Sequence, residues 1–283
     1  MATRSRRARR RRARRRLFVL VVILAGAITG GVLIVRAIGR KSVSAPVGCQ
    51  VAGLSAPGQF ALTADQAQNA SIIAAVAFKL RLPDHAVTIG LATALQESRL
   101  VNLTYGDRDS LGLFQQRPSE GWGTSAQVQD PVYAATAFYQ HLERIPGWQT
   151  MAVTEAAQTV QHSAAPLAYA TYEDEARALA AALTGETPAG FTCLLAGFEG
   201  ARPAPSALAA AAAQEMGSDL LAGPVTNQKT GWEVASWAVG HAWAYHLETV
   251  TFGSWRWTSG SGRWVDAGGP AVVSPEVAVT YGT

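Results

Sequence analysis

The sequence predicts a mainly α domain that follows a single N-terminal transmembrane helix, with a small α+β domain at the C-terminus. Three observations support this fold class. The stretch from Leu17 to Val35 carries no charge and is long enough to span a bilayer as a helix. Apolar residues recur at helical spacing from about residue 60 onward. From Thr249 the apolar period changes to that of short strands separated by Gly and Ser.

Charge is distributed very unevenly along the 283 residues. Residues 1–41 hold 13 Lys and Arg side chains and no acidic one. The remaining residues hold 11 basic and 20 acidic side chains, a net charge of −9, so the overall charge of +4 describes neither part. Because the part that can fold is acidic, a basic globular nucleic-acid-binding protein is excluded.

The N-terminal residues predict a membrane anchor. An arginine run, Arg4 to Arg16, precedes the apolar stretch and places the N-terminus in the cytoplasm under the positive-inside rule. The stretch is longer than the roughly 7–15 apolar residues of a cleaved signal peptide, although Val43-Ser44-Ala45 resembles a cleavage site. Arginines beside a bilayer are expected to contact anionic lipid headgroups. We therefore expect a single-pass cell-membrane protein whose C-terminal domains are extracytoplasmic.

Cys49 and Cys193 are the only two cysteines. In an oxidising compartment we expect them to form a disulfide, the alternative being two separate buried thiols. Such a bond would close a loop of well over a hundred residues, for which chain entropy predicts a stabilisation of roughly 4–5 kcal/mol. The two cysteines also bracket the segment that most resembles a domain.

The first predicted helices follow a capping pattern. Thr63 and Gln66 form a capping box, and apolar residues continue from Ile72 to Leu80 at helical spacing. Pro83 and Asp84 then begin a second helix, because proline and an acidic side chain both suit the first turn. Further helices are predicted at Pro131–Leu142, Thr154–Gln161 and Tyr172–Leu183.

The C-terminal residues differ in composition. Alanines from Ala209 to Ala213 favour a helix, and a second helix is expected from about Gly231. Strands are predicted at Thr249–Phe252, Trp255–Thr258, Arg263–Val265 and Val277–Tyr281. Six of the eight tryptophans lie between Trp232 and Trp264. They favour the core of a small domain over an exposed glycan-binding surface, and no activity is assigned to them.

The predicted domain organisation therefore has six parts. They are a cytoplasmic Arg-rich tail (1–16), a transmembrane helix (17–36), a linker (37–59), a helical domain (60–196), a second linker (197–206) and a small α+β Trp-rich module (207–283).

Three short elements carry the candidate chemistry. Gln96-Glu97-Ser98 ends the second helix, Gly112-Leu113-Phe114-Gln115 follows about 15 residues later, and Ala168-Tyr169-Ala170 lies downstream. Over roughly residues 60–185 this set resembles the soluble lytic transglycosylase and goose-type lysozyme superfamily. The resemblance implies a lysozyme-like domain. The third element departs from the family pattern because Ala170 stands where Asn is usual, so Tyr172 is an alternative to Tyr169.

The resemblance also implies roles for individual residues. Glu97 would be the general acid/base, and its place at a helix C-terminus, beside an apolar helix, is expected to disfavour the charged form. Ser98 and Gln115 would contact the substrate, while the hydroxyl group of Tyr169 would hold Glu97 in place. Trp122 is a candidate platform for stacking on a sugar, the alternative being a tryptophan packed on the core.

A second carboxylate is harder to assign. Ordinary glycosidases use two carboxylates, and Asp107 and Asp109 lie in a loop that could supply one. Acidic residues are also common turn formers. Transglycosylases of the resembled family use a single Glu, with assistance from the N-acetyl group of the substrate, and form an anhydro-sugar end. Transglycosylation and hydrolysis are both left open.

We therefore expect an extracytoplasmic enzyme that cleaves peptidoglycan glycan strands between N-acetylmuramic acid and N-acetylglucosamine. The alternative is a non-catalytic cell-wall glycan-binding or scaffolding membrane protein, since one fold hosts several functions. The five histidines form no ligand cluster with the cysteines, and there is no Gly-rich phosphate loop. We expect no metal, no organic cofactor and no nucleic-acid partner.

Overall fold

The computed structural model describes residues 47–52, 54, 59–161, 168–198, 200–268 and 275–282. These ranges contain eight α-helices, three short 3₁₀ helices and seven strands. The α-helices are α1 (Ala64–Lys79), α2 (Asp84–Ser98), α3 (Ser125–Val128), α4 (Pro131–Leu142), α5 (Val153–Gln161), α6 (Glu173–Leu183), α7 (Pro205–Met216) and α8 (Gln228–Tyr245). The 3₁₀ helices are Pro118–Glu120, Trp148–Thr150 and Ala168–Tyr172. The strands are β1 (Gly48–Ala52), β2 (Gln59–Leu62), β3 (Phe191–Leu194), β4 (Leu247–Phe252), β5 (Trp255–Thr258), β6 (Arg263–Asp266) and β7 (Val277–Tyr281).

The predicted capping box begins α1, which confirms that prediction. The backbone amide of Gln66 donates to the Thr63 hydroxyl at 3.2 Å, and the Thr63 amide donates to Gln66 Oε1 at 2.8 Å. The same glutamine side chain donates to the carbonyl of Arg99 at 2.7 Å. The start of α1 is thereby joined to the residue that follows the end of α2.

Helix α2 is the central helix of this region. Most of its residues from Ala86 to Leu95 are buried, and α5, α6 and the 3₁₀ helix Ala168–Tyr172 pack against it. It ends where Arg99 adopts a left-handed conformation with φ 58°. Such a residue commonly terminates a helix because it turns the chain away from the axis. Glu97 therefore projects from the last turn of a helix that is fixed on several sides.

Strands β1, β2 and β3 form an antiparallel sheet in the order β2-β1-β3. Cys49 on β1 lies opposite Cys193 on β3, and these residues form a disulfide with 144 residues of sequence separation. The sheet thus joins the two ends of the predicted helical domain. β1 and the first residue of β2 fall inside the range predicted as a linker, 37–59.

The C-terminal strands form a second antiparallel sheet in the order β6-β5-β4-β7. Helix α8 packs against β4 on one side and against α1 on another, and all these elements belong to one compact unit. Helices α1 and α8 approach closely at Gly240, where an added Cβ would lie 1.9 Å from Ser71 Oγ. The C-terminal module therefore shares its core with the helical region.

A buried polar cluster connects α7 to α8. The indole nitrogen of Trp237 donates to Glu215 Oε2 at 2.7 Å, and His241 Nε2 lies 3.1 Å from the same oxygen. His241 Nδ1 faces the Trp237 carbonyl at 2.9 Å and must carry a hydrogen, because a carbonyl only accepts. A proton on Nε2 or on the carboxyl group therefore completes the contact between His241 and Glu215.

The tryptophans of the C-terminal module are packed. Trp237 and Trp257 are fully buried, and Trp232 lies edge-on to the rings of Phe252 and Trp264 with centroids 5.4 and 5.1 Å away. These contacts bear out the core interpretation, because no exposed row of aromatic rings is formed by the described tryptophans.

The predicted fold class is wrong as stated. The structure is about 50% helical with two small antiparallel sheets, and none of the described helices has both the length and the hydropathy that a membrane span requires. The sequence reading failed because strands of four or five residues, such as β1 and β3, carry too little periodicity to be recognised. The predicted transmembrane helix (17–36), the Arg-rich tail (1–16) and its lipid contacts lie outside the described residues.

Candidate active site

Two of the three sequence elements with candidate chemistry, those of Glu97 and Gln115, line a cavity of about 660 Å³, and the third reaches it through the contact of Tyr169 with Glu97. The cavity is formed by the end of α2, the loop that follows it, the 3₁₀ helix Pro118–Glu120, the end of α4 and the end of α5. Its polar and charged lining includes Glu97, Asp107, Gln115, Arg117, Glu120 and His141. This volume is within the usual range for a ligand pocket, roughly 300–1,000 Å³.

Glu97 lines this cavity and is held by a buried tyrosine. The Tyr169 hydroxyl donates to Glu97 Oε1 at 2.7 Å, and Tyr169 has no exposed surface. The other carboxyl oxygen, Oε2, forms no hydrogen bond with the described residues. Because a hydrogen bond from a buried, rigid donor fixes the orientation of a half-buried carboxyl group, Glu97 presents one defined oxygen to a ligand.

Tyr172, the alternative to Tyr169, lies elsewhere. The Arg99 guanidinium lies over the Tyr172 ring, 4.5 Å from its centroid. Neither tyrosine lines the cavity itself, so the difference between them is the contact with Glu97. Of the two tyrosines in the predicted element, Tyr169 is the one in contact with Glu97.

Ser98 connects the helix to the next element instead of facing the cavity. Its hydroxyl oxygen lies 2.7 Å from the Leu113 carbonyl and 3.1 Å from the Ala94 carbonyl, and the side chain is buried. The hydroxyl hydrogen can satisfy either carbonyl. Ser98 therefore positions the Gly112–Gln115 loop relative to Glu97.

The Gly112–Gln115 loop depends on its glycine. Gly112 has φ +78°, and an added Cβ would lie 2.1 Å from the Val128 carbonyl oxygen, so only glycine fits. Gln115, with φ 47°, lines the cavity. Its amide nitrogen donates to the Gly112 carbonyl at 3.2 Å, which restrains the side chain at the cavity wall. Gln161, at the end of α5, donates to the Phe114 carbonyl at 2.7 Å and lines the same cavity.

Trp122 lines the cavity together with His141. Their ring centroids are 4.1 Å apart with planes inclined by 32°, and His141 Nδ1 contacts the Ala137 carbonyl at 2.8 Å. The histidine is thus fixed on α4 and supports the indole from one side. Trp122 is partly buried in this arrangement, so both of its predicted roles, sugar platform and packing, are compatible with its position.

The two candidate second carboxylates have different environments. Asp109 accepts hydrogen bonds from the Ser119 amide at 2.8 Å and from Arg117 Nε at 3.0 Å, and it is not part of the cavity lining. The bond from the Ser119 amide is the main cause that lowers the pKa of Asp109 to about 2. Asp107 lines the cavity, but its side chain is 94% exposed. Asp109 therefore organises the loop, and Asp107 is the more accessible carboxylate.

Five polar residues of the cavity were not anticipated: Ser110, Arg117, Glu120, His141 and Gln161. Arg117 bridges two carboxylates, since its Nη1 lies 2.8 Å from Glu120 Oε1 while its Nε contacts Asp109. These residues come from separate elements and form no sequence motif. For His141 and Gln161 the sequence offered one signal, the helical pattern that precedes them. It predicts that each lies near the end of its helix.

Comparison with known proteins gives no assignment. No family model matches the chain, and no curated protein matches it either. In the described part of the chain, no group of three His, Cys, Asp or Glu side chains is arranged to hold a metal ion. Any functional assignment must therefore rest on the site geometry and on the motif resemblance.

Proposed function

We propose that this protein cleaves the glycan strands of peptidoglycan, with Glu97 as the general acid/base. The observation that carries the proposal is the hydrogen bond from the buried Tyr169 hydroxyl to Glu97 at a cavity that Gln115 and Trp122 also line. This arrangement agrees with the roles that the resemblance to lytic transglycosylases and goose-type lysozymes implies for Glu97 and the tyrosine.

The hydrogen-bond direction suggests how Glu97 would act. Because Tyr169 donates to Oε1, the proton of a neutral Glu97 is on Oε2, which has no partner among the described residues. This proton would pass to the bridging oxygen of the glycosidic bond as the bond breaks. The Tyr169 hydroxyl would stabilise the resulting carboxylate, which would then accept a proton from the attacking hydroxyl group.

A single-carboxylate mechanism fits the surroundings of Glu97. Asp109 is bonded to Ser119 and Arg117, and Glu120 is also paired with Arg117. Asp107 is almost fully solvated. Since none of the carboxylates near this cavity other than Glu97 is both unpaired and held in place, we propose that the N-acetyl group of the substrate assists and that an anhydro-sugar end forms. The attacking group is then a hydroxyl of the same sugar.

The proposal places the protein outside the cytoplasm. Peptidoglycan lies there, and one feature of the protein supports this location: a disulfide such as Cys49–Cys193 persists in an oxidising compartment.

The test is digestion of purified peptidoglycan by the full-length protein, with products identified by mass spectrometry. We expect anhydro-muropeptides, and we expect Glu97→Gln to release at least about a hundredfold less, because general acid catalysis contributes roughly 10²–10⁴-fold. Glu248→Gln is the matched control, since it makes the same change at an exposed residue of β4 that does not line the cavity.

Products with reducing ends would indicate hydrolysis and overturn the anhydro mechanism. If the wild-type protein binds peptidoglycan but releases no more than Glu97→Gln, the enzyme proposal is wrong and the protein is a glycan-binding one.

A further inference from the structure

A second cavity, of about 610 Å³, lies at the start of α2, whereas the candidate active site lies at the end of that helix. It is formed by the end of α1, the start of α2, the residue after α6, the end of α7 and the start of α8. The two cavities share no lining residue. Phe78, Leu82, Val87 and Met216 give the second cavity apolar walls.

One wall carries a buried acid without a partner. Glu233, on the first turns of α8, is only 8% exposed, and it forms no hydrogen bond or ion pair with the described residues. Burial is the main cause that raises the pKa of Glu233 to about 8, with a smaller contribution from the charge of Asp84. A carboxyl group in such a place stays protonated near neutral pH unless a cation compensates its charge.

Of the basic side chains that line this cavity, only Arg81 lacks a partner among the described residues. Lys229 Nζ lies 2.6 Å from Asp84 Oδ2, and Lys79 Nζ donates to the Gln214 carbonyl at 2.8 Å. Arg81 lines the cavity, is exposed, and its guanidinium has no partner among the described residues. The cavity therefore presents one uncommitted acid and one uncommitted cation.

A third group in this cavity lacks a partner. Thr184, directly after α6, is 2% exposed, and its buried hydroxyl forms no hydrogen bond. Buried hydroxyl groups are normally hydrogen-bonded, and an exception needs an explanation. Because the Thr184 hydroxyl oxygen is itself buried, this group makes the cavity wall more polar without being a contact of the ligand.

We propose that this second cavity binds a small zwitterion, a free amino acid or a short peptide, with its ammonium group on Glu233 and its carboxylate on Arg81. A simple anion would meet the acidic Glu233 and Asp84, and a simple cation would meet three basic side chains. A molecule that carries both charges matches both uncommitted groups. Arginine binds carboxylates through paired hydrogen bonds, and the apolar walls can contact small side chains.

The test uses the dipeptide alanyl-alanine and the full-length protein in titration calorimetry. We expect saturable binding with a Kd of about 1 mM or tighter. N-acetyl-alanyl-alanine, which lacks the ammonium group, and alanyl-alaninamide, which lacks the carboxylate, should each bind at least about tenfold more weakly. Near neutral pH, binding of the unmodified dipeptide should release a proton, because the ammonium group favours the ionised form of Glu233.

Two variants test whether Glu233 and Arg81 bind the dipeptide. Glu233→Gln and Arg81→Gln should each weaken binding at least about tenfold. The matched controls Glu248→Gln and Arg256→Gln alter exposed charges of the second sheet and should bind as the wild type does. The midpoint of thermal unfolding shows that each variant is folded.

Any of three results would overturn the proposal. They are the absence of saturable binding at about 10 mM dipeptide, binding of either blocked dipeptide as tight as that of alanyl-alanine, and undiminished binding by a folded Glu233→Gln protein.

Discussion

At the scale of single residues, the contact between Glu97 and Tyr169 depends on two elements that are 72 residues apart. Glu97 is placed by the end of α2, and Tyr169 by a 3₁₀ helix that packs on α2. A variant that loses only the Tyr169 hydroxyl therefore tests whether this group contributes to catalysis or whether the buried ring alone is needed for the fold.

We predict that Tyr169→Phe lowers the rate of peptidoglycan cleavage roughly 10–100-fold, because a hydrogen bond to a charged group contributes roughly 1.5–3 kcal/mol. The ring is retained, so the thermal stability should change little. Tyr172→Phe is the control, since it keeps the ring that contacts Arg99 and should keep full activity. Equal losses in the two variants would contradict the assignment of Tyr169.

A second residue-scale prediction concerns Asp109. Its folded-state pKa of about 2 is below the ordinary value of 3.8, so the ionised form is favoured in the folded loop. The stabilisation is complete above about pH 4 and is lost as the pH falls toward 2. Asp109→Asn should therefore lower the thermal midpoint at neutral pH, and the difference from wild type should shrink on acidification.

Circular dichroism melts across this pH range provide the measurement for Asp109. Asp107→Asn is the matched control, because Asp107 is almost fully exposed and should show no such pH-dependent difference. A constant difference between wild type and Asp109→Asn at all pH values would contradict the role of the charge.

Residue roles could be predicted from the sequence only where a motif carried them. Glu97, Gln115 and Tyr169 were selected by their resemblance to a known pattern, and the structure brings all three to one region. The role of Asp109 could not be read, because it depends on the Ser119 amide ten residues later. The burial of Glu233 could not be predicted from the sequence either, because it results from the packing of α8 against elements that are distant in the sequence.

At the scale of elements, the crossing of α1 and α8 depends on small residues. Gly240 on α8 faces Ser71 on α1, and the Ser71 hydroxyl donates to the Ala67 carbonyl at 2.9 Å. There is no room for a methyl group between the two helices.

Gly240→Ala should therefore lower the free energy of unfolding by about 1–3 kcal/mol, the usual cost of overpacking a core. In an exposed helix the same change would raise stability by about 1 kcal/mol through helix propensity. Denaturant unfolding gives the value. Gly260→Ala is the control, because a Cβ at that turn meets no atom within 4 Å and should have little effect.

Element boundaries were predicted well where local chemistry determines them. Helix α4 and strands β5 and β7 have the predicted bounds, since Pro131 with the Asp130 cap and alternating aromatic residues are strong local signals. Strand β1 was missed because its five residues depend on pairing with β3, far away in the sequence. Long-range pairing leaves no local pattern.

At the scale of the whole molecule, the disulfide connects strands that begin and end the helical region. Breaking it should lower the free energy of unfolding by about 2–5 kcal/mol, because the closed loop restricts the unfolded chain. The double variant Cys49→Ser, Cys193→Ser should melt earlier than the oxidised protein. A reductant should lower the midpoint of the wild type and leave the variant unchanged.

The helical region and the Trp-rich module, which the sequence analysis separates, are in contact in the described part of the chain. Composition changes after about residue 206, but α8 packs between α1 and β4, and Phe198 in the predicted second linker stacks on His246 at 5.0 Å. A composition boundary is not a packing boundary, because buried apolar surfaces from different segments can form one core.

The position of the Cys49–Cys193 bond also determines what a protease can achieve. Any single cut between residues 50 and 192 produces two fragments that remain covalently joined. The exposed loop around Asp107 lies in this interval, so a cut there would leave α1 and α2 attached to the strands that follow. Such a nicked molecule would migrate in electrophoresis as an intact chain until the disulfide is reduced. The residues that line the candidate active site would stay in one covalently joined molecule after the first cut.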